Sequence, residues 1–150
     1  IELVLRHSPD QTGLPFWTYT AYGHMDRMPE FEIGEQVKLG QIIGPTGNTG
    51  ISARGRKGGS QSRTRRPALH LAMFWSDKRT YSKANGTIIP EGGYWLDPIA
   101  FYRLSGLYDT SSIIALPDPE KAVPIPYMYD DGTLQPKGTK RIWPYSCQRE

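Results

Sequence analysis

The sequence predicts an all-β protein: a compact antiparallel β-sheet domain with a long basic loop insertion and a Pro-rich C-terminal tail. Its 150 residues are enough for one domain with a core of its own. Its 16 glycines and 13 prolines favour many short strands joined by tight turns over long helices. Several short segments also alternate apolar and polar side chains, as half-buried strands do. We therefore expect one β-rich unit with extensions.

Two strands are predicted near the start of the chain. Residues 1–7 form the first, and the turn-forming residues of 9–13 end it. Residues 17–24 form the second, and strand alternation places His24 on a largely polar face. The other members of that face are Thr18, Thr20 and Tyr22. Short apolar pieces separated by glycines over residues 31–50 then predict hairpins.

A third strand is predicted over residues 68–75, after a basic insertion over residues 51–67 that is almost without apolar residues. One face of this strand is apolar and should be core. It carries Leu69, Leu71, Met73 and Trp75. The other face places His70 between two small residues, Ala68 and Ala72, as the floor beneath an extended ligand would. A structural histidine on a half-exposed strand would give the same pattern.

The rest of the chain predicts a short closing element over residues 99–104 and an extended tail over 105–150, where proline is frequent. Six of the 18 basic residues crowd into the insertion. They are Arg54, Arg56, Lys57, Arg63, Arg65 and Arg66. Such a cluster is compatible with an anionic partner, but a solvated loop is the more common reason for it, so we expect no nucleic-acid binding. No transmembrane run is present, and the first residues do not form an apolar signal segment.

Read together, the motifs along residues 1–104 resemble the signature of the lysostaphin-type (LytM-like) zinc metallopeptidases. The matching pieces, in order, are Tyr22-Gly-His24, Ile33-Gly-Glu-Gln-Val37, Gly40-Gln-Ile-Ile-Gly44, Gly47-Asn-Thr-Gly50, Leu69-His70-Leu71 and Asp97-Pro98. The family signature is tyrosine-x-histidine, glycine-x-x-valine, glycine-glutamine-x-isoleucine-glycine, glycine-x-threonine-glycine and histidine-x-histidine. The basic insertion interrupts the match, and the tail lies beyond it.

The resemblance implies a groove across one sheet, a zinc ion in that groove, and cleavage of peptide crosslinks in bacterial peptidoglycan. It assigns His24 to the catalytic imidazole that acts on the attacking water, and His70 to a metal ligand. It also places Tyr22, Asn48 and Ala72 along the substrate groove. An extracytoplasmic location, periplasmic or secreted, follows from a cell-wall substrate.

Two departures from the family pattern limit what the resemblance implies. Ala68 stands where the first histidine of the histidine-x-histidine pair belongs, so one catalytic imidazole is replaced. The histidine-x-x-x-aspartate motif that supplies the other zinc ligands does not occur. His7 and Asp10 are three residues apart rather than four and are poor substitutes. A catalytic zinc normally takes three protein ligands, so we expect this sequence alone not to bind zinc tightly.

Three interpretations remain open. The chain is part of a peptidase whose missing ligands lie on an upstream segment or a partner protein. Alternatively, it is a degenerate relative that activates cell-wall amidases without catalysis, which the alanine at position 68 favours. The third interpretation is a wall-binding or structural assembly module that uses the groove for attachment only.

Overall fold

The structure is a computed structural model that describes residues 1–49, 66–103 and 106–149. Within these residues, short strands in mainly antiparallel sheets dominate and the helices are few and short, which confirms the all-β prediction at this level. The strands are β1 (Glu2–His7), β2 (Trp17–Gly23), β3 (His70–Ser76), β4 (Tyr81–Ala84), β5 (Thr87–Pro90), β6 (Tyr94–Trp95), β7 (Tyr127–Tyr129), β8 (Leu134–Gln135) and β9 (Ser146–Cys147). The helices are α1 (Pro9–Thr12), α2 (Pro98–Arg103), α3 (Thr110–Ile114) and α4 (Asp118–Lys121).

The main sheet has four strands in the order β1-β2-β3-β6, and all three pairings are antiparallel. β2 lies inside the sheet and pairs with β3 along its whole length and with β1 over residues 18–23. Its last residue, Gly23, is opposite His70, the first residue of β3. β4 and β5 form a separate hairpin through the Asn85-Gly86 turn, and β8-β7-β9 form a small third sheet.

One face of the main sheet packs on the core, which we call the inner face. Met73 of β3 is only 2% exposed and belongs to a cluster with residues of α2 and α3. The buried members of that cluster are Leu14, Phe16, Met73, Leu96, Ala100, Phe101, Tyr102 and Ile113. Because directly opposite residues on paired strands share a face, Thr18, Thr20 and Tyr22 also belong to the inner face. The apolar face predicted for the third strand is therefore the one that contacts the core.

The segment predicted as a hairpin over 31–50 forms no strand within the described residues 31–49. It forms local turns instead, closed by backbone bonds from Glu35 to Glu32 and from Gln41 to Lys38. The predicted turn over residues 9–13 is also more regular than expected. There Ser8 and Gln11 exchange hydrogen bonds in a capping box that begins α1.

The C-terminal part was predicted as an extended tail, but it contains α3, α4 and the small sheet of β7, β8 and β9. It also packs into the main body, because Ile113 of α3 belongs to the core cluster. The expectation of no long helices in this proline-containing part is met within its described residues, since α3 and α4 have five and four residues. Within the described residues, no helix is long and apolar enough to cross a membrane. Residues 51–65 of the predicted basic insertion lie outside the described residues.

Arg141 anchors the C-terminal segment to α2. Its side chain is 8% exposed, and one guanidinium nitrogen donates to the Phe101 carbonyl oxygen at 2.6 Å. The guanidinium carbon also lies 5.5 Å from the centroid of the Phe101 ring. We expect Arg141→Met to lower the free energy of unfolding by about 1 to 2 kcal/mol, because it removes a hydrogen bond from a charged donor in a buried position.

Urea unfolding of the variant measures this loss, and Lys140→Met is the matched control. Lys140 donates to the Asp10 carbonyl oxygen at an exposed position, so its replacement is expected to cost about 0.5 kcal/mol or less. Equal losses for the two variants would show that Arg141 does not anchor the segment.

Candidate functional site

Two imidazoles meet where β2 and β3 end. Gly23 is opposite His70 in the register of the sheet, and His24 follows directly after Gly23. The rings of His24 and His70 are stacked, with centroids 5.6 Å apart and planes 30° apart. The structure therefore brings together the two histidines that the sequence singled out.

The backbone of His24 explains why the two rings meet on one side of the sheet. Strict alternation would put His24 on the inner face with Tyr22, whereas His70 points to the outer face with Ala72. His24 instead has a φ of 64°, which ends the strand and turns the side chain away from the alternating pattern. A non-glycine residue in this conformation is uncommon, and here it occurs at a predicted site residue.

Gly23 allows the close approach of the His70 ring. A Cβ atom at position 23 would lie 3.3 Å from the Cβ and 3.6 Å from the Nδ1 of His70. A residue larger than glycine at position 23 would therefore crowd the His70 side chain. The small residue at this position lets the His70 side chain lie across the end of β2.

A hydrogen bond fixes the proton on the neutral His24 ring. Its Nδ1 is 2.7 Å from the carbonyl oxygen of Thr49, and a carbonyl oxygen can only accept, so Nδ1 is the donor. Thr49 is itself held, because its hydroxyl donates to the Met25 carbonyl oxygen and accepts from the Ile1 amino group, both at 2.6 Å. In the neutral ring, Nε2 is then the unprotonated nitrogen. An imidazole oriented in this way can accept a proton or bind a metal ion through Nε2.

Residues 45–47 form a wedge between the diverging ends of β2 and β3. Gly47 donates its N–H to the His24 carbonyl oxygen at 2.9 Å and accepts from the Ala68 N–H at 3.0 Å. On the same side, Asp26 donates to the Pro45 carbonyl oxygen, and Met25 and Thr46 form an isolated bridge. The wedge thus links the backbone before His70 to the backbone of His24.

The other predicted site residues have different positions. Ala72 is half-buried on the same face as His70, and Asn48 is exposed and next to the wedge. Tyr22 is opposite Leu71 on the inner face, where burial raises the pKa of its phenol, so the structure does not bring it beside the imidazole pair. Ala68 is half-buried and lies two residues before His70, the first residue of β3.

His7 and Asp10, the poor substitutes for the missing zinc ligands, lie away from the imidazole pair. His7 is opposite Thr18, at the other end of β2 from Gly23, and its Nε2 is 2.8 Å from the Thr20 hydroxyl. Burial lowers the pKa of His7 to about 4, so this histidine is neutral at pH 7. Asp10 is exposed in α1.

The described residues bring two imidazoles together but no third ligand. Among residues 1–49, 66–103 and 106–149, no group of three or more histidine, cysteine, aspartate or glutamate side chains is placed to hold a metal ion. A catalytic zinc takes three protein ligands. These residues by themselves therefore do not fit a zinc centre.

Sequence reasoning missed two features of the site. Thr49 orients His24 through its carbonyl oxygen, a role that no side-chain pattern reveals. Trp95 lies on the face of His70, because it is opposite Phe74 in the sheet, and β6 is too short to give a periodic signal. Comparisons of the chain with known protein families, curated proteins and solved structures found no match.

Proposed function

We propose that this chain is a lysostaphin-type domain that binds a peptide of bacterial peptidoglycan in a groove over the outer face of the main sheet. In this proposal, His24 and His70 are the residues that this chain contributes to a zinc metalloendopeptidase centre. The observation that carries it is the stacked imidazole pair, 5.6 Å between centroids, with Nε2 of His24 unprotonated in the neutral ring. A cell-wall substrate would place the protein in an extracytoplasmic compartment.

The proposed roles of the two histidines follow from their environments. His24 acts as the general base, since Thr49 holds the proton on Nδ1 and leaves Nε2 to accept one from a water molecule. His70 is exposed at the start of β3 and serves as a metal ligand. Two imidazoles are one ligand short of a catalytic zinc site even if both bind, so the remaining ligands come from an upstream segment or a partner protein.

A second candidate function is supported by Ala68, which replaces the other catalytic imidazole of the family pattern. A domain that keeps the peptide groove but lacks part of the catalytic set would recognise the cell wall and activate an amidase without cleaving it. Adding the chain to a cell-wall amidase and measuring the release of stem peptides separates this function from the first. Activation that persists in His24→Gln would favour the regulator.

The primary test combines binding and cleavage of crosslinked peptidoglycan. We expect the chain to co-sediment with purified peptidoglycan and, with zinc added, to release no new amino termini by itself. Absence of co-sedimentation would rule out the cell-wall function. Release of amino termini that a chelator abolishes would disprove the incomplete zinc centre.

Zinc binding tests the imidazole pair separately. We expect weak binding by calorimetry, and His70→Ala should weaken it about tenfold or more, as loss of a metal ligand or its support does. His7→Gln is the matched control, because His7 is engaged with Thr20 far from the pair and should leave zinc affinity unchanged. Equal effects of both substitutions would show that the stacked pair is not the zinc-binding feature.

A further inference from the structure

We propose that a cleft beside the edge strand β6 binds a quaternary ammonium group on a short uncharged chain, as in choline, between aromatic rings and the Asp109 carboxylate. The cleft has a volume of about 360 Å³, which is within the range of small-molecule sites. Trp75, Tyr94, Tyr108 and Asp109 are among the residues that line it. The inference goes beyond the proposed function and does not depend on it.

The cleft lies on the inner face of the main sheet, at the far end of β3 from His70. Trp75 is five residues after His70, so the two side chains point to opposite faces. Tyr94 is opposite Trp75 on the edge strand and shares its face. The segment before α3 forms the other wall with Tyr108 and Asp109. The cleft and the imidazole pair are therefore separate sites.

Aromatic rings form much of the cleft lining. The rings of Trp75 and Tyr94 are stacked, with centroids 4.9 Å apart and planes 25° apart. The Tyr108 ring is 6.2 Å from the Trp75 ring and inclined to it by 52°. Tyr94 is 62% exposed, and the other two residues are half-buried. The face of an aromatic ring attracts a cation that lies within about 6 Å of its centroid, so this lining favours a positive charge.

The two walls of the cleft are fixed relative to each other. Phe16 is 4% exposed, and its ring centroid is 4.9 Å from that of Trp75 and 4.7 Å from that of Tyr108. The Asp97 N–H donates to the Tyr108 carbonyl oxygen at 2.9 Å, and the Asp97 carboxylate accepts from the Thr110 hydroxyl at 2.7 Å. Walls that are held in this way lower the cost of ordering the site when a ligand binds.

Asp109 supplies the charge of the cleft. Its carboxylate accepts from the Ser112 N–H and from the hydroxyls of Ser111 and Ser112, and these bonds hold the pKa of Asp109 well below its usual value. The carboxylate is therefore ionised at pH 7. Among the described residues that line the cleft, no other is charged, and no described basic side chain forms an ion pair with Asp109. The cleft thus favours a cation that carries no anionic group beside it.

The hydrogen bonds of Asp109 also select the kind of cation. Both of its carboxylate oxygens already accept bonds from Ser111 and Ser112. A primary ammonium group brings three N–H donors that need acceptors, and the faces of the aromatic rings are poor ones. A quaternary ammonium group has no N–H and needs only a negative charge and apolar contact. We therefore expect the cleft to prefer choline to ethanolamine.

The test titrates the chain by NMR with choline, with ethanolamine, and with the uncharged isostere of choline in which a tert-butyl group replaces the trimethylammonium group. We expect choline to bind with a Kd of about 1 to 10 mM, and the other two compounds about tenfold more weakly. Choline should shift the indole signal of Trp75. The indole signal of Trp143, which does not line the cleft, should not move.

Asp109→Asn tests the charge. Asparagine caps a helix as well as aspartate does, so α3 is retained while the negative charge is lost. We expect choline to bind about three- to tenfold more weakly to this variant, and the uncharged isostere to bind as before. Asp118→Asn is the matched control, because Asp118 is exposed, pairs with Lys121 and does not line the cleft. It should leave choline binding unchanged.

Tyr94→Leu tests the aromatic wall, because it removes the ring but keeps an apolar side chain on the edge strand. We expect choline binding to weaken about three- to tenfold, and binding of the uncharged isostere to change less. Tyr145→Leu is the matched control, since Tyr145 is 43% exposed and does not line the cleft.

Several outcomes would overturn the proposal. Equal affinity for choline and its uncharged isostere would show an apolar cleft without selectivity for a cation, and equal affinity for ethanolamine would show that N–H donors are accepted. Equal effects of Asp109→Asn and Asp118→Asn would assign the attraction to the overall charge of the chain. A Trp75 signal that stays in place at about 100 mM choline would show that the cleft does not bind it. Retention by peptidoglycan is measured separately, so failure of this site leaves the proposed function standing.

Discussion

Replacing Gly47 with alanine is expected to lower the free energy of unfolding by about 3 kcal/mol and to separate the two imidazoles. A Cβ atom at this position would lie 2.5 Å from the Cα and 2.6 Å from the N of Asp26. Those are backbone atoms of the chain that follows His24, so they cannot rotate away as the end of a long side chain would. The wedge between β2 and β3 must therefore move.

Movement of the wedge affects the site directly, because Gly47 bonds to the His24 backbone on one side and to the Ala68 backbone on the other. Urea unfolding measures the stability, and the nuclear Overhauser effect between the rings of His24 and His70 measures their separation. We expect that effect to weaken sharply in Gly47→Ala.

Gly34→Ala is the control for the general cost of replacing a glycine in this part of the chain. Gly34 has a φ of 95°, but a Cβ atom there would meet nothing within 4 Å. Its replacement should cost about 1 to 2 kcal/mol of backbone strain and leave the imidazole pair in place. A Gly47→Ala variant that keeps native stability and the ring contact would show that the wedge does not position the pair.

The sequence predicted β3 well because its signal is strictly periodic. Its apolar residues alternate with His70, Ala72 and Phe74, and the core contacts the apolar set alone, as Met73 illustrates. The same rule fails at His24, where a positive φ interrupts the period. Positive φ is uncommon for histidine, so the alternation predicted His24 on the face of Thr18, Thr20 and Tyr22, which is the inner face, and that placement is wrong.

The glycine-rich segment over residues 31–49 shows a different limit. Glycine supplies the positive φ that hairpin turns require, and Gly34, Gly40 and Gly44 all have one. However, side chains compete for the same backbone groups: Glu35 accepts from the Glu32 N–H, and Gln41 accepts from the Lys38 N–H. These local bonds close separate turns. Whether such a segment forms turns or paired strands depends on which groups its backbone bonds to, and the pattern of glycines and apolar residues does not specify them.

The C-terminal part was predicted as extended because proline is frequent there. At α3 the chain is helical instead, and a local N-cap at Asp109 favours the helix. The Asp109 carboxylate accepts from the Ser112 N–H and from the hydroxyls of Ser111 and Ser112. These hydrogen bonds hold the pKa of Asp109 well below its usual value, so the cap stays ionised. A single capping residue starts a short helix even in a segment that contains several prolines.

Acidification is expected to destabilise the protein through His7, by about 3 kcal/mol between pH 6.5 and pH 4. Burial lowers the pKa of His7 from its ordinary value of 6.5 to about 4, because the folded protein disfavours the charged ring. The stabilisation from a neutral His7 is therefore complete above pH 6.5. It is lost progressively as the pH falls towards 4, since the unfolded chain takes up a proton that the folded chain excludes.

The measurement is the free energy of urea unfolding at several pH values, for the native chain and for His7→Gln. Glutamine does not titrate and can still bond to the Thr20 hydroxyl, which His7 contacts at 2.8 Å. The difference between the two proteins should change by about 3 kcal/mol over this pH range. A difference that does not change with pH would mean that His7 accepts a proton in the folded state. In that case the half-buried position of His7 beside Thr20 would not hold its ring neutral.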